Sequence, residues 1–310
     1  MGASYRKNSQ AKNYPIGYHL ESTNVKDLKL AKEITEKRLK FWWAHYSDLA
    51  SQRHLVESEL KKSIIQNCTG FNFNNWQRAV KYKYSLHPLC TIGSYQFIGG
   101  RFNYGNCING ELSHFPALYI AKDKDTALQE HLGQEPIPEN SNLTALDLAL
   151  TSSVSESIVS ISGRLDKVFD LTNKNNLNEI VHLISKFKTS KYLSQLARDA
   201  QLSKLPLIIR STNRLLDSLL DPHWRTVPAN YDVPSNSQIF GHLCYTAGVE
   251  GIVYPSKLTG KHCIAIFPNN FPNTSSYIKL DDELPHDKVP SIINEHNYNL
   301  CETSDKEIIS

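Results

Sequence analysis

Between Phe71 and Phe267, short apolar runs and amphipathic segments follow one another without a fixed order, and this irregular mixture restricts the fold most. A doubly wound parallel sheet needs strand and helix to alternate, and a dinucleotide-binding turn needs Gly-x-Gly-x-x-Gly after its first strand. The sequence has neither. Strands are expected at Ser94–Ile98, Ala117–Ala121, Leu143–Leu148, Gly251–Tyr254 and Cys263–Phe267. Helices are expected at Asp125–Leu132, Asn178–Phe187, Leu193–Gln201 and Ser237–Ala247. The fold class that follows is α+β, with helices flanking a mixed sheet.

The flanks differ in character from this centre. Residues 1–22 are polar with isolated aromatics and read as a loosely ordered arm. Residues 23–70 form a helical N-terminal extension. Leu28, Leu30, Ile34, Leu39, Trp42 and Trp43 recur at three-to-four spacing, as do Leu55, Leu60 and Ile64. The pattern predicts two helices with a break near Tyr46-Ser47-Asp48. Two adjacent tryptophans are costly to leave wet, so this face is expected to pack on the domain at 71–280; a partner surface is the other reading. Residues 150–235 read as a mainly helical, insertion-like stretch, and 281–310 as a polar, Pro-interrupted tail.

Composition narrows the function classes. Lys and Arg number 34 against 31 Asp and Glu, a net charge of +3, so no strong field points to nucleic acid. No run of about 18 apolar residues occurs, which argues against a membrane partner. Met1 to Gln10 is polar without an apolar core, so no secretory signal is expected and a cytoplasmic location is. The six cysteines form no Cys-x-x-Cys pair and read as free thiols of a reducing compartment rather than a zinc or redox site. His223, His242 and His262 match no ligand spacing, and no metal is expected.

Four segments carry residue types suited to chemistry. Arg101 lies in Gly99-Gly100-Arg101-Phe102-Asn103-Tyr104-Gly105, where glycines let the backbone bend and approach a bulky ligand. Its planar fork can give a pyrophosphate two parallel charge-assisted hydrogen bonds. A surface arginine in a Gly-rich hairpin would look the same. In Ala117-Leu118-Tyr119-Ile120-Ala121, alternation puts Leu118 and Ile120 on one face and Tyr119 on the other, between two small residues that leave room for a stacked ring. A half-buried structural tyrosine competes with that reading. Glu130 shares a helical face with Ala127, a face that would otherwise be buried; a solvated surface glutamate is the alternative. Ser256, in Tyr254-Pro255-Ser256-Lys257-Leu258, lacks the Gly-x-Ser-x-Gly elbow of a hydrolase nucleophile. It remains open between a hydroxyl that binds ligand phosphate or ribose and a turn residue.

Together the segments resemble the RES (arginine-glutamate-serine) domain family. The shared pattern is a Gly-Gly-Arg-aromatic-Asn turn, a Leu-Tyr-x-Ala strand, a Thr-Ala-x-x-Glu helix and a Gly-x-x-Tyr-x-Ser strand end, in that order over roughly 85–270. Pro234-Ser235-Asn236-Ser237-Gln238-Ile239-Phe240-Gly241 also resembles the family. The resemblance implies an ADP-ribosyltransferase-like fold and action on NAD as substrate. It further implies a toxin or effector that depletes NAD by hydrolysis or phosphorolysis, with a cognate antitoxin or immunity protein as partner. Arg101, Tyr119, Glu130 and Ser256 match the family's functional positions, with Asn103 beside Arg101 as a cofactor contact. The sequence departs from the pattern in the long Asn106–Phe115 stretch, the helical N-terminal region and the 150–235 segment.

On this reading Glu130, ionised, stabilises the oxocarbenium-like state formed as the nicotinamide–ribose bond breaks. Arg101 anchors the pyrophosphate, Tyr119 walls the nicotinamide side and Ser256 positions a phosphate or ribose. ADP-ribosylation of a target protein, and an inactive NAD- or partner-binding module, are the alternatives.

Overall fold

The protein is described from a computed structural model covering residues 25–108, 113–132, 156–202, 208–284, 286–304 and 307. The expected arm at 1–22 and the expected strand Leu143–Leu148 lie outside these residues. The chain divides into two compact units, one of residues 1–48 with 189–207, the other of 49–188 with 208–310.

α1 (Val25–Leu55), whose residues up to Asp48 belong to the first unit, continues through Tyr46-Ser47-Asp48, where a break was expected. That tripeptide holds neither Gly nor Pro, so nothing there interrupts the helical hydrogen-bond ladder. The interruption comes at Val56, before α2 (Glu57–Gln66). The apolar stripe of α1 is used locally. Phe41 is buried with Leu193, Leu196, Ala197 and Ala200 around helix Lys191–Asp199, and Trp42 packs at the edge of the cluster.

In the second unit, seven strands among the described residues form one mixed sheet: β1 (Cys68–Lys81), β2 (Leu118–Ala121), β3 (Glu156–Asp170), β4 (Gly251–Pro255), β5 (His262–Ile266), β6 (Tyr277–Leu280) and β7 (Ile292–Asn294). Their order is β1-β2-β5-β4-β3-β6-β7, and β1 also pairs with β3. The pairings thus close the first five strands into a ring, with β6 and β7 continuing from β3. Only β3 and β4 run parallel; the other described pairs are antiparallel. The α+β class holds.

The two longest strands are the ones the sequence conceals. β1 reads Phe73-Asn74-Asn75-Trp76, with apolar residues three apart, which breaks the two-residue period of a strand. A bulge resolves this. Asn75 adopts φ of 54°, the register with β3 shifts between Phe73 and Trp76, and both aromatics end up buried on one side. β3 falls inside the 150–235 stretch expected to be mainly helical. The rest of that stretch that is described holds four short helices, α4 (Asn178–Ile184), α5 (Lys191–Asp199), α6 (Thr212–Leu219) and α7 (Thr226–Tyr231). The expected strand Ser94–Ile98 is instead a 3-10 turn over Ile92–Tyr95, followed by Phe97 at φ of 57°. Residues 286–304, read as tail, supply β7 and the wholly buried Ile293 and Cys301.

Alternation along the strands divides the apolar residues between two cores. Leu118, Ile120, Val253, Ile264 and Ile266 join Phe73, Trp76, Ile161 and Phe271 on one side. Ala117, Ala121, Ile252, Tyr254, Cys263 and Ala265 face the other, where α2, α4, α6 and α8 (Asn236–Thr246) cover the sheet through Leu60, Ile180, Leu215 and Phe240. Tyr119 packs on this second side, so β2 presents its residues as alternation predicts.

Phe169, at the centre of the helix-covered core and edge-on to Phe240 at 5.3 Å, is fully buried. Replacing it with Ala is expected to cost about 3–5 kcal/mol in urea unfolding. A loss below about 1 kcal/mol would mean the sheet is not held by this core.

Candidate active site

The arginine turn is held from both ends. Gly99 takes φ of 84°, a conformation that suits glycine. A side chain at Gly100 would come within 2.5 Å of the Tyr119 hydroxyl, so only glycine lets the turn lie against β2. The Tyr119 hydroxyl donates to Asn103 Oδ1 at 2.7 Å and accepts from the Phe102 N–H at 2.9 Å. Asn103 Oδ1 also accepts from the Gly100 N–H, while Asn103 Nδ2 donates to the carbonyls of Ser94 and Phe115 at 3.0 Å. From the far side, Gln238 Nε2 donates to the carbonyls of Ile98, Gly100 and Asn103 at 2.7–3.1 Å. The same Gln238 closes a capping box with Ser235 at the start of α8. One side chain therefore fixes both the helix and the turn.

The turn aims Arg101 at the end of α6. Arg101 is 9% exposed, and its Nη1 donates to the Asp221 carbonyl at 2.8 Å and the Leu219 carbonyl at 3.5 Å. Its guanidinium also lies 6.0 Å from the Trp224 ring centre.

Glu130 is set by α3 (Lys124–Leu132). Asp123 accepts from the Thr126 N–H at 3.0 Å at the start of this helix. The Thr126 and Thr259 hydroxyls meet at 3.0 Å, and Lys261 pairs with Asp123 at 3.1 Å, tying the helix to the turn between β4 and β5. One helical turn on, Glu130 Oε1 accepts from the Ser256 hydroxyl at 2.6 Å. Ser256 Oγ in turn accepts the N–H groups of Leu258 and Thr259 at 3.1 and 3.2 Å. This fixes the hydroxyl as donor to the carboxylate.

Arg101, Tyr119 and Glu130 line one cleft of about 270 Å³, together with His131, Trp224, Arg225, Tyr254 and Cys263. Three stretches distant in sequence thus converge. The described lining residues carry three cations, Lys81, Arg101 and Arg225, against one carboxylate, Glu130. Such a wall favours an anionic ligand that also carries a locally cationic part. Burial pushes the Tyr119 phenol well above its usual range, despite the Phe102 N–H it accepts, so it acts as a neutral donor and an aromatic wall. Burial, reinforced by Glu130, likewise raises the Cys263 thiol, which keeps it out of nucleophilic chemistry. Among the described residues no three His, Cys, Asp or Glu side chains gather as a metal site, and no helix is long and apolar enough to cross a membrane.

The other two expected site residues sit behind the wall. Asn103 has no exposed surface, and both ends of its amide are engaged inside the protein. Ser256 is 3% exposed, and its oxygen is occupied by Glu130 and two backbone amides. Both were expected to contact ligand; each instead holds a residue that lines the cleft. His131, Trp224, Arg225 and Gln238 went unselected in the sequence. The Ser235-x-x-Gln238 capping box was legible there, and Trp224-Arg225 follows a recognisable Asp-Pro turn. Nothing local marked His131.

The RES domain model matches residues 177–287, rather more than a third of the chain. That span holds Gln238 and Ser256, while Arg101, Tyr119 and Glu130 precede it. Among curated proteins nothing matches the chain. Among solved structures, the crystal structure of the M. tuberculosis MbcT–MbcA toxin–antitoxin complex matches with 14% identity and a TM-score of 0.36, over 78% of this chain and 96% of that one. The likeness is too distant to bear on the fold or the site.

His131 gives the site a pH signature. Its Nε2 stands 3.1 Å from Glu156 Oε2, yet burial, aided by Lys81, lowers the imidazole from its ordinary 6.5 to about 4. As pH falls, the unfolded chain therefore binds this proton before the folded one, and stability drops between about pH 6.5 and 4. Glu156, raised by burial, acts in the opposite sense, so the wild type alone does not isolate His131. The melting temperature of His131→Gln should decline less than that of wild type across this window. Parallel profiles would show that His131 takes up its proton equally in both states.

Proposed function

We propose that this chain, which carries a RES domain match over residues 177–287, is an NAD-consuming toxin or effector that cleaves the nicotinamide–ribose bond. The observation that supports it is the shared cleft of Arg101, Tyr119 and Glu130, with Ser256 holding the carboxylate at 2.6 Å. NAD fits the donor set. Its pyrophosphate needs cations, which Arg101 and its neighbours supply. Its cationic nicotinamide and the carbocation left behind both need a nearby carboxylate, which is Glu130.

Nicotinamide is a positively charged leaving group. When the C–N bond breaks, the electron pair goes to the ring nitrogen and a neutral molecule departs, so no general acid is required. Positive charge then builds on the ribose, and Glu130 stabilises it while accepting from a ribose hydroxyl. Arg101, already oriented by two carbonyls, anchors the pyrophosphate, and the neutral Tyr119 ring walls the nicotinamide side. The nucleophile (water, phosphate or a protein group) forms the new bond to the carbocation, and any proton it carries passes to solvent. Ser256 acts through Glu130 as a positioning residue. The likeness to RES toxins makes an antitoxin or immunity protein the partner to look for.

Glu130→Gln should lower NAD turnover by roughly two or more orders of magnitude with the fold intact. Ser256→Ala should lower kcat by about tenfold with KM little changed, because one hydrogen bond to a charged group is lost. Near-wild-type loss of NAD in Glu130→Gln removes this mechanism. Labelled NAD in lysate separates the acceptors: free ADP-ribose marks hydrolysis, ADP-ribose phosphate marks phosphorolysis, and label on a protein band marks transfer. Binding without nicotinamide release would identify an inactive module.

A further inference from the structure

A second guanidinium stands in the cleft wall beside the one the sequence pointed to. Arg225 lines the cleft with its guanidinium 4.6 Å from the centre of the Trp224 ring, over which Arg101 also lies at 6.0 Å. Arg101 builds this arrangement itself. By capping the Leu219 and Asp221 carbonyls it holds the chain that leads directly into Trp224 and Arg225. The Arg225 residue is exposed, and among the described residues no hydrogen bond or ion pair engages its side chain. Although the residue as a whole reaches solvent, its guanidinium end is partly desolvated by the wall, which lowers it from the usual range, and the Arg101 charge adds to the effect. Two cations brought to one aromatic ring, with the single carboxylate Glu130 among the described lining residues, repel each other until an anion joins them.

We infer that Arg225 is a second phosphate ligand of the cleft, which with Arg101 selects a substrate bearing two linked phosphates over one bearing a single phosphate. The inference deepens the NAD reading and rests on it. Arg101 takes one phosphate of the pyrophosphate and Arg225 the other, each by charge-assisted hydrogen bonds. Stacking on Trp224 keeps the Arg225 plane ordered before the ligand arrives, so less conformational freedom is lost on binding. Arg225 is thus a specificity-determining residue, whereas Glu130 serves the bond that breaks.

Calorimetric titration of ADP-ribose and AMP into wild type, Arg225→Gln and Arg225→Lys tests this without requiring turnover. Because no hydrogen bond or ion pair holds the exposed Arg225 side chain, Arg225→Gln should melt with wild type. It should bind ADP-ribose about ten- to a hundredfold more weakly and AMP less than about threefold more weakly. Arg225→Lys should recover part of the ADP-ribose affinity, since the charge returns without the planar fork. With NAD as substrate, Arg225→Gln should raise KM and leave kcat nearly unchanged. Equal ADP-ribose affinity in wild type and Arg225→Gln, or equal losses for both ligands, overturns the inference and leaves the NAD reading standing. A wild-type protein that binds neither ligand overturns both.

Discussion

The Tyr119 hydroxyl, donating to Asn103 and accepting from the Phe102 N–H, joins a strand to a turn that has no regular hydrogen-bond ladder of its own. Because Tyr119 lies on a strand of the closed ring and Gln238 grips the same turn from α8, the Gly99–Gly105 segment is held between two rigid elements. Buried polar networks of this kind are stabilising only when every member is satisfied, and Asn103 meets that condition with both ends of its amide engaged. The direction of Arg101 follows from it. So does the position of the segment after Leu219, whose carbonyls Arg101 caps.

The carboxylate side of the cleft is organised by the same logic in a different place. Ser256 follows β4, Glu130 lies on α3, and the hydrogen bond between them spans 126 residues of sequence. The serine donates because two backbone amides already point at its oxygen. Glu130 is therefore orientated by the sheet as well as by its own helix. The geometry of the cleft is a property of the fold, with Tyr119 held by the buried Asn103 and Glu130 by the buried Ser256.

Much of this was legible in the residues, and what was not has identifiable physical causes. The alternation of Leu118, Tyr119 and Ile120 assigned faces correctly because β2 is short and regular. The capping of α8 and the strands at Gly251 and His262 follow from local chemistry in the same way. β1 escaped notice because a bulge at Asn75 destroys its period, and β3 because its serines, glycine and charges blur the apolar pattern. α1 runs on through Tyr46-Ser47-Asp48 because a polar tripeptide without Gly or Pro marks no helix stop. Residue type singled out Arg101, Tyr119 and Glu130, which line one cleft, but no local signal distinguishes a side chain that lines a cleft from one that holds it. Asn103 and Ser256 were expected to touch ligand for that reason, and Trp224 and Arg225 enter the cleft only through a tertiary contact.

The most direct test of the central claim is a crystal structure of the Glu130→Gln protein with NAD. The account predicts an intact dinucleotide in the cleft, its nicotinamide-bearing ribose beside position 130 and its pyrophosphate at Arg101. Dinucleotide bound elsewhere on the molecule, or lying in the cleft with its pyrophosphate away from Arg101, would contradict it.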